Sequence, residues 1–331
     1  MKAAAFFGRK DIRVVDVEEP VAGNDGVVVS VRACGICGTD MHVFNSEMFI
    51  EASTKVIDGH RIIGHEFIGD IVEVGPEVSG WQVGDRVASV HNKGGMAEYV
   101  HIPGRWLKDL YRLPPDLPDK AAVTLEPFCN PVHSFHLREP RDGDTVAIFG
   151  CGIIGLGYLQ MVKAHARVRT AVADLSPLRL DMARKLGADL VINARETDPV
   201  QEIMKFTGEH YVRYLNKPSG RCDIAIDCAG QPVTLEQALQ VVKPVDGTVI
   251  VAAVYEDILP LDPNLLLLKH ITLYGSMGYK DEEAAEALRL ISSGKVQRDL
   301  LVTHTFPLEQ AHEAFRVQGN LSVSIKVVVV N

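Results

Sequence analysis

Along the first hundred positions, apolar residues fall in short, valine-rich runs, DIRVVDV, GVVVSVRA, GDIVEVG and DRVASV, separated by glycine turns, with PEVSGWQVGD supplying turn chemistry. Runs of that length and composition predict strands, so the opening part reads as a β-rich unit. From about residue 143 the pattern changes. DTVAIFG predicts a strand, GIIGLGYLQMVKAHA a helix, RTAVAD a strand, and SPLRLDMARKLGA a helix with Ser176 as N-cap and Pro177 at its first position. CDIAIDCAG, TLEQALQVVKP, GTVIVAAVY and HITLYGS continue the alternation. Strand and helix in turn predict a doubly wound parallel sheet of the nucleotide-binding kind.

After Gly278 the run DEEAAEALRLISSG predicts an amphipathic helix ending at Gly294, and the tail SIKVVVV a strand with no parallel-sheet context of its own. That tail is expected to rejoin the N-terminal sheet. The partition is therefore 1–142 with 279–331 as one lobe and 143–278 as the other. The polar stretch EHYVRYLNKPSGR, 209–221, is expected as a surface excursion between a helix and the strand at 223.

At 331 residues with 47% apolar content, the chain has material for two cores. A net charge of −9 without long runs of one sign leaves no electrostatic footprint for nucleic acid or an anionic membrane, so a small-molecule partner is expected. The start, MKAAAFFGRKDIRVVD, returns to charge too soon for a signal peptide, and no stretch is long and apolar enough to span a bilayer. A cytoplasmic location follows. The six cysteines are scattered through apolar segments and read as thiols or metal ligands, not as a disulfide framework.

Two motifs carry chemistry. Gly150, Gly152 and Gly155 form a G-x-G-x-x-G that directly follows a predicted strand and opens a helix at Ile153 and Ile154. Its glycines suit a tight turn, a close backbone approach to a pyrophosphate, and close helix-to-strand packing. Asp174 ends the next strand, 19 residues past Gly155. A carboxylate there accepts from ribose hydroxyls and repels a 2′-phosphate, which favours NAD, while Arg179 one turn further could flank the adenosine ribose and tolerate NADP. The second motif is ACGICGTDMH, 33–42. Its C-x-x-C has no matching second pair, and the partners with metal-binding chemistry are GHE at 64–66 and LEPFCNPVH at 125–133. Three protein ligands and an open position describe a catalytic zinc.

GICGTDMH, GHEFIGDIVEVG, GDRVASV, the GCGIIG fingerprint and its downstream Asp174, in this order across the chain, resemble the zinc-dependent medium-chain dehydrogenases. CGTDMHVFN and EPFCNPVH are most similar to the threonine and polyol branches. The resemblance implies a GroES-like catalytic domain followed by a Rossmann domain. It makes Cys37, His65 and Glu126 zinc ligands and Glu66 an outer or alternate ligand, with Cys129 a further alternative third ligand; Cys34 matches no ligand position. It makes Thr39 and His42 a proton relay and Asp40 the carboxylate that orients the zinc histidine. One departure is clear. Where most zinc members carry a four-cysteine lobe, VASVHNKGGMAEYV runs straight on, so one catalytic zinc and no structural zinc are expected.

The implied activity is zinc-dependent hydride transfer between NAD and a secondary alcohol such as a polyol, sugar alcohol or amino alcohol, in a homodimer or homotetramer. Two other readings stay open at this point: a zinc-free quinone- or enoyl-type reductase, and a silent NAD-binding protein. His133 is expected to be a packed helix histidine. VFNSEMFIEASTKVIDGHRI, 43–62, with Phe44, Glu47 and Met48, is the candidate substrate-facing stretch.

Overall fold

In the computed structural model, which describes residues 1–331, the valine-rich strand Val27–Gly35 is the centre of the first unit. That unit comprises Met1–Pro127 and Ala284–Asn331. Val27–Gly35 pairs antiparallel with Glu66–Val74 on one side and with the C-terminal strand Lys326–Val330 on the other, and Tyr99–Ile102 pairs with it too. Arg86–Ser89 and Leu110–Arg112 extend the sheet beyond Glu66–Val74, and Val302–Pro307 extends it beyond the tail. The tail therefore rejoins the N-terminal sheet, as expected. Val27, Val29, Val31, Phe67, Ile71 and Val329 meet in the core, each essentially inaccessible to water. Burying a side chain of this size contributes about 1.5–3 kcal/mol, so the inward faces of Val27–Gly35, Glu66–Val74 and the tail hold this sheet's core together. A smaller sheet, Asp11–Asp16, Lys2–Gly8, His60–Ile62 and Lys55–Ile57, packs its own apolar cluster around Ala3, Ala5 and Ile62.

The second unit, Phe128–Glu283, holds a six-stranded parallel sheet. Counted within the unit, its strands lie in the order 3-2-1-4-5-6, with Thr145–Phe149 as the first and Thr272–Gly275 as the last. This is the dinucleotide-binding order. Thr145–Phe149 is buried throughout, which explains why its sequence is continuously apolar instead of alternating. The structure gives residues 128–142 and 279–283 to this unit, whereas the partition at 142/143 and 278/279 leaves them with the first. Both divisions fall inside helices, Leu125–Leu137, which continues despite Pro131, and Asp281–Ser292. Residues 209–221 form an antiparallel pair, Glu209–Val212 with Lys217–Gly220, around a short 3-10 turn.

Lys269 closes the helix Pro263–Lys269 at 2% exposure. Its ammonium donates to the carbonyls of Leu239 and Gln240, at the C-terminal end of the helix Pro232–Val241, where a cation is favoured. Burial, with Lys217 adding to it and Cys222 opposing, still lowers Lys269 from 10.5 to about 7. A base whose pKa falls on folding binds fewer protons in the folded chain, so stability rises with pH between about 7 and 10.5. The expected result is a thermal midpoint that climbs from pH 7 to pH 9.5 in the native chain and climbs measurably less in Lys269→Met, read by differential scanning calorimetry.

Candidate metal and cofactor sites

Both chemical motifs sit where strands end. Gly35, the last residue of Val27–Gly35, lies opposite Glu66 in the antiparallel ladder, and Cys37 caps the helix Gly38–Ser46 that follows. That register brings His65, a predicted ligand, and its neighbour Glu66, the predicted outer or alternate ligand, to Cys37. One ligand atom each from Cys37, His65 and Glu66 lies within 4.8 Å of the others. Thiol, imidazole and carboxylate are the donor set of a catalytic zinc.

The surroundings favour a bound cation. Burial pushes the Cys37 thiol above its ordinary value, and the Glu66 and Glu126 carboxylates add to that while His65 opposes it. For His65, burial favours the neutral ring, but Asp40 and Cys37 outweigh it and hold the imidazole well above the usual range. Asp40 is fully buried. One of its carboxylate oxygens accepts from the Cys37 amide at 2.9 Å and the other lies 3.6 Å from His65 Nδ1. An imidazole oriented through Nδ1 presents Nε2 outward, the usual arrangement for a metal histidine. Thr39 Oγ1 lies 3.7 Å from Cys37 Sγ, and His42 is one turn further along the same helix, its ring edge-on to Phe49.

Glu126 is 8% exposed and near enough to act electrostatically on Cys37, but it is not one of the three clustered groups. Cys129 is fully buried in the helix Leu125–Leu137. His133 is a packed helix histidine, its Nδ1 at 3.1 Å from both carboxylate oxygens of Glu283. Phe44 is in the core against Phe315, so it does not face a substrate. Glu47 is exposed and Met48 half-buried, in a turn where Glu47 and Phe49 both adopt positive φ.

Lys326 is the residue that sequence reasoning missed. It is 1% exposed, forms a close ion pair with Glu66 and donates to the Ile36 carbonyl at 2.8 Å. Its one visible signal was a lone charge in the otherwise apolar tail SIKVVVV. Removing either partner of such a buried pair leaves the other charge stranded, at a cost of about 3–5 kcal/mol.

In the second unit, Gly150 leaves the strand with φ 92°, and a Cβ there would come within 2.9 Å of the Ala229 amide. Gly152 caps the helix Ile153–His165 with no side-chain bond to the first-turn amides, and Ile153 and Ile154 open that helix half-buried. Amides presented this way suit a phosphate. A Cβ on Gly155 would meet the Gly150 carbonyl oxygen at 1.9 Å, so the helix packs on the turn only through glycine. Asp174 accepts from the Cys151 amide at 2.6 Å and from the Ser176 amide at 2.7 Å, which fixes its carboxylate beside the turn. Arg179 is 8% exposed, with Nη1 at 3.7 Å from the position of a Cβ on Gly152. Ser176 is the N-cap of the helix Pro177–Lys185, as expected, but its hydroxyl makes no capping bond.

Residues 23–114 match the alcohol dehydrogenase GroES-like domain family, and residues 154–293 the zinc-binding dehydrogenase family. The chain is 31% identical over 346 residues to (R,R)-butanediol dehydrogenase of Bacillus subtilis, covering 95% of this chain and 94% of that protein. This chain belongs to the zinc-type medium-chain dehydrogenases. L-threonine 3-dehydrogenase of Pyrococcus horikoshii is also 31% identical, over 96% of this chain and 94% of its own length. Among solved structures, that of 2R,3R-butanediol dehydrogenase from Bacillus subtilis superposes with a TM-score of 0.85 at 30% identity, covering 100% of this chain and 99% of that one. As a medium-chain dehydrogenase, the chain is a zinc-dependent oxidoreductase of the alcohol type with a nicotinamide cofactor. No helix of it is long and apolar enough to cross a membrane.

Proposed function

We propose that the chain oxidises a secondary alcohol of the polyol, sugar-alcohol or amino-alcohol class with NAD as acceptor, using one catalytic zinc, in the cytoplasm. The observation that carries this reading is the convergence of Cys37, His65 and Glu66 within 4.8 Å, beside Asp40 and Thr39. The relatives support the substrate class, since they are named for a butanediol and for threonine, both of which carry a secondary hydroxyl. Asp174 supports NAD, because its carboxylate is held where a 2′-phosphate would be repelled.

When bound, zinc supplies a Lewis acid that eases removal of the alcohol proton, and the nicotinamide supplies the hydride acceptor. Cys37 and His65 hold the metal with a carboxylate, either Glu126 or Glu66. Asp40 orients His65, so the imidazole needs no rearrangement to bind. The Thr39 hydroxyl takes the substrate proton and passes it on, with His42 at the far end of the relay. Gly150, Gly152 and Gly155 bring backbone against the pyrophosphate, Asp174 accepts from the adenosine ribose, and Arg179 flanks it. The edge strand Thr272–Gly275, largely exposed, supports assembly into a homodimer or homotetramer.

The test is stoichiometric zinc together with growth of NADH absorbance that depends on added alcohol, across a panel of polyols, amino alcohols and sugar derivatives. Metal-free protein that still reduces a quinone or enoyl substrate returns the zinc-free reading; cofactor binding without turnover on any substrate returns the silent one. Within the proposed reaction, Thr39→Val is expected to keep its zinc and its NAD affinity while kcat falls about a hundredfold or more, the scale of general acid–base catalysis. Unchanged turnover would remove Thr39 from the relay.

A further inference from the structure

In the second unit, two glycines draw together the chain segments that leave three neighbouring strands. Asp227 closes the fourth strand, Ile224–Asp227, opposite Phe149 at the end of the first and Val251 at the end of the fifth, Thr248–Val251. The turn at Gly150 lies so close to Cys228 and Ala229 that a Cβ there would come to 2.9 Å from the backbone of both. Gly230, at φ 68°, makes the same room for the segment after the fifth strand, since a Cβ on it would sit 2.5 Å from the Val254 carbonyl oxygen. Asp227 is fully buried. One of its carboxylate oxygens accepts from the Ala229 amide at 2.9 Å, and the other accepts a close hydrogen bond from the Tyr255 hydroxyl. Burial, and then the carboxylate it faces, push the Tyr255 phenol above its ordinary value, so it keeps its proton and remains the donor.

From this geometry we infer that Tyr255 is a positioning residue for the nicotinamide end of the cofactor: its bond to Asp227 staples residues 252–255 to the fourth strand and fixes one wall of the crevice before binding. The inference rests on the NAD reading above and deepens it. Strand order reverses between the first and fourth strands, and a dinucleotide lies across the crevice outside that point, one half to each side. Asp174, at the end of the second strand, takes the adenosine half, which leaves the side of the fourth and fifth strands to the nicotinamide. The Ala252 amide donates to the Asp227 carbonyl at 2.9 Å, and three residues on the Tyr255 hydroxyl returns to the carboxylate of the same aspartate. Asp227 therefore holds both ends of the segment. Ordering a loose wall on binding would weaken affinity, and a wall already held avoids that loss.

The experiment is calorimetric titration of the native chain and of Tyr255→Phe with NADH and with ADP-ribose. ADP-ribose carries the adenosine and the pyrophosphate without the nicotinamide, so the pair of ligands separates the two halves of the crevice. In Tyr255→Phe, NADH is expected to bind about tenfold more weakly, near the lower end of what one hydrogen bond to a charged group contributes, while ADP-ribose binds with native affinity. The double variant Asp227→Asn/Tyr255→Phe leaves no buried charge without its donor. It is expected to show the same selective loss, and it tests the staple even where Tyr255→Phe fails to fold. Equal weakening of both ligands would make the bond a support of the whole unit and overturn the inference. Native affinity for NADH in a folded variant would overturn it as well, since the wall would then be fixed without the hydroxyl. A native chain that binds neither ligand would overturn the NAD reading and this inference with it.

Discussion

Cys37→Ser is expected to purify with well under one zinc per chain and to oxidise alcohol about a thousandfold more slowly than the native protein or worse. The magnitude follows from what is lost. A Lewis acid contributes several kilocalories of charge stabilisation at the reacting oxygen, and about 4 kcal/mol is a thousandfold in rate. A serine hydroxyl keeps the volume of the thiol but not the soft anionic donor that a zinc site uses. The fold should survive, because Cys37 caps a short helix and is partly exposed rather than packed in the core. Elemental analysis, far-ultraviolet circular dichroism and steady-state kinetics on one preparation check all three statements. Full zinc with native turnover would remove the thiol from the site and leave His65 and the carboxylates without the donor that defines them.

How much of this was legible in the sequence can be read from the two motifs. The glycine turn could be placed residue by residue, because a strand, three spaced glycines, a helix and an acid are all local features whose order is visible in a single chain. Gly150 and Gly155 accordingly hold the tight turn and the close packing expected of them, and Asp174 lies beside the turn, accepting from the Cys151 amide. The zinc motif was harder, since its ligands are joined by a strand register. Glu66 is brought to Cys37 only because it lies opposite Gly35, and no spacing rule states which residues of two separate strands face each other. Lys326 stood out as a lone charge in an apolar tail, but its partners were hidden for the same reason, the Ile36 carbonyl it binds being 290 positions away. Phe44 shows the opposite failure. Its place between two ligand motifs suggested a substrate contact, but helix periodicity turns it inward to Phe315. Position along the chain is a weak guide to which face of a short helix looks at the site.

The glycine turn offers the other large effect, and it separates folding from binding. Gly155→Ala should destabilise the second unit, because its new methyl meets the Gly150 carbonyl oxygen at 1.9 Å and Ile148 Cγ2 at 3.3 Å. Neither can withdraw easily: the carbonyl belongs to the turn itself and Ile148 is in a strand buried on both faces. Overpacking of this kind costs about 1–3 kcal/mol, a fall in thermal midpoint on the order of 5 °C or more. Gly152→Ala is the contrast. Its φ of −74° suits any residue, and a Cβ there meets only Arg179 Nη1, at 3.7 Å, an ordinary contact. The ligand-free protein should therefore unfold at close to the native temperature. If the amides at that helix start hold a pyrophosphate, the same methyl stands in its way. Loss of hydrogen bonds to a charged group costs roughly 1.5–3 kcal/mol, so NAD should bind about tenfold to a hundredfold more weakly. Calorimetric unfolding and fluorescence titration with NAD, run on both variants, read the two effects separately. Native NAD affinity in Gly152→Ala would mean that the pyrophosphate does not approach the turn at its second glycine, and the roles of Asp174 and Arg179 at the ribose would have to be reassigned with it.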